Sequence, residues 1–394
     1  MKMLNRLYHL TIIWIPLLML STHNVLGADP CAESDLNALP ESPLRQLPAY
    51  DQGNSDVCYA FASSILINYH KMRTLKSSKV TPPMLVAVQR SLNSKETKTT
   101  LAGGDFEDTI QSLKREGACD PDTFEVAMKT LESLYPDSST HEVLSWLSRQ
   151  LELRDSILSD PKCLHQSCKS ACIGTPETLS LEQYLSAQGL ENELSQKIFQ
   201  NIFAACSKRK DPLMSRIPDA KTHTNLPPSE YTKILSEQLH KLKKPVGLST
   251  ISRSLDNTAS NCVSYNPKSK STELHPKAKG CGFANSKKLI ENAHAVVIVG
   301  QKKIDGKCQV MIRNSWGGDW QPPARTGQKP LCSCEMVDAT SETVTYHSVC
   351  PEAPNSSAQD SDELDLSVPF VRRYLGCWYE RSHILSNTAG LTTL

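Results

Sequence analysis

The chain has 394 residues, enough to bury at least one full core, with 43 lysines and arginines set against 42 aspartates and glutamates. That near balance excludes a protein built to coat nucleic acid or an anionic membrane surface.

Residues 1–27 read as a secretory signal peptide. Lys2 and Arg6 precede an apolar run over residues 10–20, which is too short to span a bilayer, and a polar stretch follows it. No later run reaches the roughly eighteen apolar residues a membrane helix needs. A soluble mature chain starting near Ala28, secreted or periplasmic, is expected. None of the 14 cysteines falls inside the signal, which suits an oxidising compartment where most of them pair.

Residues 28–50 are rich in Pro, Ser and Asp and lack periodicity, so they read as an extended lead-in. From Cys58, the positions Phe61, Ala62, Ile65, Leu66 and Tyr69 follow the spacing of a buried helix face. Ser55 or Asp56 stands where a cap is needed. Cys58 is then in the first helical turn, where the macrodipole and unpaired amides favour a thiolate. Further helices are predicted over 84–92 and, opened by Gly103-Gly104, over 106–116.

Residues 122–244 carry Glu-, Leu- and Ser-rich helical patterns, such as 179–203, and read as an inserted helical region. Its cysteines Cys163, Cys168 and Cys172 lack a second pair at zinc-site spacing, so structural disulfides are expected there and no metal. After Pro245 the pattern turns to strands, at 246–251, 295–299 and 308–312, with Asp305-Gly306 as a strong turn signal. An irregular C-terminal extension is expected over 321–370, where 355–365 reads as an exposed acidic loop.

If the strands on either side of Asp305-Gly306 fold into a hairpin, His294 and Asn314 meet at its open end, within a register offset that a bulge can absorb. An amide oxygen beside a histidine fixes its ring orientation and tautomer. A thiol at a helix N-terminus together with an oriented imidazole is equipment for covalent acyl transfer. Gln52, six residues before Cys58, could donate its side-chain amide to the oxyanion beside the Cys58 backbone N–H.

Three blocks carry a resemblance. Residues 52–61 (Gln-Gly-Asn-Ser-Asp-Val-Cys-Tyr-Ala-Phe) resemble the nucleophile segment of the papain and cathepsin family of cysteine peptidases. Residues 292–300 (Asn-Ala-His-Ala-Val-Val-Ile-Val-Gly) resemble its histidine strand, and Asn314-Ser315-Trp316-Gly317 its asparagine turn. The resemblance covers about half the mature chain. It implies an α+β papain-like fold of two lobes, one helical and one β-barrel-like, with an active cleft between them. It also implies Cys58 as nucleophile, His294 as base then acid, Asn314 as orienter, Gln52 as oxyanion donor and Trp316 as a cover over the His–Asn hydrogen bond. Gly103 and Gly104 become the bare wall that pairs with an extended peptide, and Phe106, Asn292 and Ala293 stand at the main specificity pocket.

The chain also departs from the family. Ser55 and Leu101 occupy the places of a familiar cysteine pair, and Tyr59 stands where tryptophan is common. The Cys58–His294 gap of 236 residues exceeds the usual distance of about 130 to 150, so an insertion is required. The lead-in is too short for a long inhibitory pro-region, and the inserted region offers a surface for an inhibitor or partner protein in its stead. The expected activity is hydrolysis of peptide or protein substrates through a thioester, with no cofactor, nucleic acid or membrane span. The alternatives are a non-catalytic binding module on the same fold, or an acyl transferase or transpeptidase using the same Cys–His pair.

Overall fold

A computed structural model describes residues 31–39, 41–48, 50, 52, 57–93, 104–134, 204–251, 255, 263–274, 293–315, 334–339, 344–349 and 371–394. The expected signal peptide, the 179–203 pattern and Cys163, Cys168 and Cys172 lie outside these residues.

Among the described residues five helices come first: α1 (Pro43–Gln46), α2 (Cys58–Arg73), α3 (Pro83–Asn93), α4 (Phe106–Glu116) and α5 (Pro121–Leu134). The spacing predicted one buried face for α2, but the helix is buried on nearly every side, from Tyr59 through Tyr69. Its polar stripe of Ser64, Asn68 and Lys71 is buried too, bonded to Thr81 and Asp211, so the helix becomes the axis around which the rest packs. α4 is the opposite case. Asp105 accepts hydrogen bonds from the Glu107 and Asp108 amides and caps it, and only Phe106, Thr109, Ile110 and Leu113 are buried.

A nine-stranded antiparallel sheet provides the other layer. Its strands are β1 (Ser34–Asp35), β2 (Lys221–Thr224), β3 (Val246–Ile251), β6 (Ala293–Ile304), β7 (Lys307–Arg313), β8 (Cys334–Ala339), β9 (Val344–Val349), β10 (Val371–Glu380) and β11 (Thr388–Thr393). Their order is β2-β11-β3-β6-β7-β10-β8-β9, with β1 added to β6. β4 (Val263–Asn266) and β5 (Ser271–Leu274) form a separate pair, and α6 (Pro228–Ser236) and α7 (Arg381–Leu385) complete the helices named here. The architecture is a mixture of helices and antiparallel sheet, as expected.

Two stretches differ from the sequence reading. The stretch 321–370, expected to be irregular, contains β8 and β9, which pair with each other, and β10 from beyond residue 370 joins β8 to the rest of the sheet. Within the region expected as an insertion, β2 pairs with β11, and Cys206, Met214, Ile217 and Tyr231 enter the common core. Disulfides Cys31–Cys308 and Cys119–Cys206 close long loops, and Cys377 is disulfide-bonded as well.

α2 is fastened at its C-terminal end by a buried ion pair. Lys71 Nζ lies 2.7 Å from Asp211 Oδ2, with side-chain exposures of 0% and 5%, and also donates to Thr81 Oγ1 at 3.0 Å. Lys71→Met leaves the Asp211 carboxylate buried without its cation, so a loss of about 3 to 5 kcal/mol in urea unfolding is expected. Adding Asp211→Leu should recover most of that loss, and a single variant as stable as the parent would refute the account.

Candidate active site

Cys58 opens α2 and carries a reduced thiol, partly exposed. The expected caps Ser55 and Asp56 lie outside the described residues, and the N-cap position is Val57, which supplies no side-chain acceptor. The N-terminal backbone amides and macrodipole of α2 favour negative charge at the sulfur.

His294 is in β6 and Asn314 directly follows β7. The turn between the strands uses Asp305 (φ +50°) and Gly306 (φ +75°), the left-handed pair that a tight hairpin requires. The register skips one residue between Ile298 and Gly300, so Val297 opposes Arg313. Continued one step, Asn314 stands opposite Val296, two residues from His294 and on the same face of the sheet. Without the bulge Asn314 would oppose Val297 and project to the other face, because side chains alternate with period two. With it, His294 Nε2 and Asn314 Oδ1 are 2.7 Å apart.

The tautomer follows from a backbone group. Asn314 Oδ1 also accepts from the Ser315 backbone N–H at 2.8 Å, and an amide N–H can only donate, so the atom facing it is oxygen. His294 Nε2 must then carry the proton it gives to that oxygen, which leaves Nδ1 as the basic nitrogen. Burial pushes the imidazole down to about 4, while the Asn314 hydrogen bond raises it in part.

The packing of α2 on the sheet relates the sulfur to the ring. A Cβ on Gly247 in β3 would lie 3.3 Å from Leu66 Cδ1, and the Tyr69 hydroxyl donates to the Lys243 carbonyl at 2.6 Å. α2 and β3 therefore run antiparallel. From the Leu66–Gly247 contact, ~12 Å back along the helix reaches Cys58, and ~10 Å forward along the strand reaches Thr250. Thr250 is registered with His294, so Cys58 lies at the level of the imidazole. Cys58, Ile65 and Tyr69 share one stripe of the helix, the stripe whose Tyr69 end reaches β3.

Gln52 is buried against the same corner. Its backbone N–H donates to the Ser315 carbonyl at 2.8 Å, and its Oε1 accepts from Ser315 Oγ at 2.5 Å. With Oε1 on Ser315 Oγ, Nε2 at the other end of the amide is turned away from Ser315. Ser315 and Arg313, which flank Asn314, were not singled out from the sequence. Nothing in their local pattern marks them, since their partners are more than 260 residues away.

The remaining expected residues divide. Gly104 is exposed, and a Cβ there would come within 2.7 Å of the Tyr59 ring, so glycine is demanded by close approach to α2. Phe106 is 1% exposed and packs against Gly247, which makes it part of the core. Ala293 begins β6 and pairs with Ile251. Gly103, Asn292 and Trp316 lie outside the described residues. Among the described residues there is no group of three or more potential metal ligands, and no helix is long and apolar enough to cross a membrane.

No protein-family model and no curated protein matches this chain. Among solved structures, digestive procathepsin L 3 of the Tenebrio molitor larval midgut is similar at 12% identity with a TM-score of 0.33, over 75% of this chain. The match spans 63% of that protein, less than two thirds of its length.

Proposed function

We propose that the chain is a secreted cysteine endopeptidase of papain-like, two-lobed design, with Cys58 as nucleophile. The observation that carries this reading is the His294–Asn314 hydrogen bond, with its tautomer fixed, at the level of the α2 N-terminus. A core histidine needs no such orienting amide level with a cysteine at a helix start.

The chemistry follows from the protons. Burial keeps His294 neutral at rest, so Nδ1 can take the thiol proton as Sγ attacks the peptide carbonyl carbon and an S–C bond forms. The carbonyl oxygen becomes an oxyanion, met by the Cys58 backbone N–H and the Gln52 side-chain amide. The imidazolium returns its proton to the amine nitrogen as the C–N bond breaks, leaving a thioester. Water then attacks, His294 again accepts and returns a proton, and the acid product leaves with the thiol restored. An extended substrate lies along Gly103 and Gly104, with Trp316 over the His–Asn bond and Asn292 and Ala293 near the specificity pocket. The inserted region within 122–244 presents a surface for an inhibitor or partner protein.

Incubation with an epoxide thiol trap at mild pH should modify the native chain once, at Cys58, and block cleavage of a mixed peptide library. With amines added, products of hydrolysis should still dominate over amide products. Cleavage that continues after full modification of Cys58 would end the proposal.

A further inference from the structure

The corner that holds Gln52 contains a cation not used in the chemistry above. Arg313 is 1% exposed, yet its guanidinium is satisfied by main-chain oxygens: Nη1 donates to the Leu44 carbonyl at 2.6 Å, and Nη2 donates to those of Leu47 and Pro48 at 2.7 and 2.8 Å. Those three carbonyls follow or close α1, where the last turn of a helix leaves acceptors without intrahelical partners. A buried cation is costly, and it is tolerated where fixed acceptors surround it.

The geometry has a direction. Four residues beyond Pro48 the same arm arrives at Gln52, whose backbone and side chain are both held by Ser315, two residues beyond Arg313. Between the two grips Tyr50 packs edge-on against Phe61 of α2, one turn from Cys58, with ring centroids 5.6 Å apart. The end of β7 therefore grasps the arm at 44–48 and again at 52, and presses its middle onto the nucleophile helix. Arginine suits the first grip because a planar fork can serve several carbonyls at once, which a lysine ammonium on a flexible stem does less well.

We propose that Arg313 is a positioning residue for Gln52: by clamping the arm it keeps the Gln52 amide docked on Ser315 and its Nε2 aimed at the oxyanion. The placement stands on the geometry alone, and its catalytic consequence rests on the peptidase reading above. Arg313 itself touches no reacting atom.

The test uses the full-length chain with Arg313→Lys and Arg313→Gln, each also combined with Gln52→Ala. Amide hydrogen exchange reads the placement. In both Arg313 variants the Gln52 N–H should exchange at least about tenfold faster, while the α2 amides keep their protection. Steady-state kinetics reads the consequence: kcat should fall roughly 10- to 100-fold with KM within about threefold, and less in the lysine variant than in the glutamine variant. In the Gln52→Ala background either substitution should lower kcat by less than about threefold further, since the group it positions is gone. Unchanged protection at Gln52 in both variants overturns the proposal. So does multiplication of the two kinetic effects, or loss of α2 protection in both variants, which would make Arg313 a determinant of the fold. If the parent cleaves no peptide, the peptidase reading fails on its own, and the exchange measurement still decides whether Arg313 places Gln52.

Discussion

Cys58→Ala is expected to lower kcat/KM for peptide cleavage by on the order of 10⁴-fold or more, because it removes the atom that forms the covalent intermediate. The loss can be separated from misfolding. Cys58 is at the partly exposed first position of α2 and in a reduced state, and alanine is the best helix former, so unfolding free energy should move by less than about 1 kcal/mol. Cys58→Ser refines the result. A serine hydroxyl keeps the shape but is a far weaker acid than a thiol, and an imidazole held near 4 by burial is a poor base for it, so the serine variant should also be nearly inactive. Kinetics beside epoxide labelling of parent and variants decides the matter. A Cys58→Ala enzyme within tenfold of the parent would mean that the nucleophile lies elsewhere.

The second large effect belongs to His294→Gln. Removing the general base and acid should cost roughly 10² to 10⁴ in kcat, and a neutral amide of similar reach cannot take its place. The same substitution has a pH signature. The folded imidazole titrates near 4, below its ordinary value of about 6.5, so between those pH values the unfolded chain binds a proton that the folded chain refuses. Stability from this group is fully present above pH 6.5 and falls as pH drops toward 4, by at most roughly 3 kcal/mol. The difference between the stability profiles of parent and His294→Gln should therefore slope across that window and be flat above it. The acid limb of the parent's kcat/KM should fall near pH 4 on the same account. A flat difference profile, or an acid limb at the ordinary histidine value, would show that the ring is not held neutral by burial.

Much of the site was legible in the chain because its determinants are local. The periodicity after residue 58 marked a helix with a cysteine at its start, and Asp305-Gly306 marked a hairpin whose open end carries His294 and Asn314. Both conclusions need only the geometry of one helix and one turn. Local pattern also misled in places. Phe106 was expected at a pocket wall, yet it fills the space above a glycine on a strand 141 positions later. The strands β10 and β11 escaped notice because their partners, β7 and β8 for one and β2 and β3 for the other, are remote in the chain.

The sequence by itself determined the helix that begins at Cys58, the β6–β7 turn and the pairing of His294 with Asn314 to within a register step. Tertiary structure alone decided the step: the one-residue bulge puts Asn314 on the face of His294, and two bonds to Asn314 Oδ1 choose the tautomer. It alone supplied the grip of Arg313 and Ser315 on the arm and the Lys71–Asp211 pair beneath α2. The physical reason is range. Propensity and periodicity act over a turn or a strand pair, whereas a buried charge or amide takes its partners from whatever the whole chain brings within 3 Å.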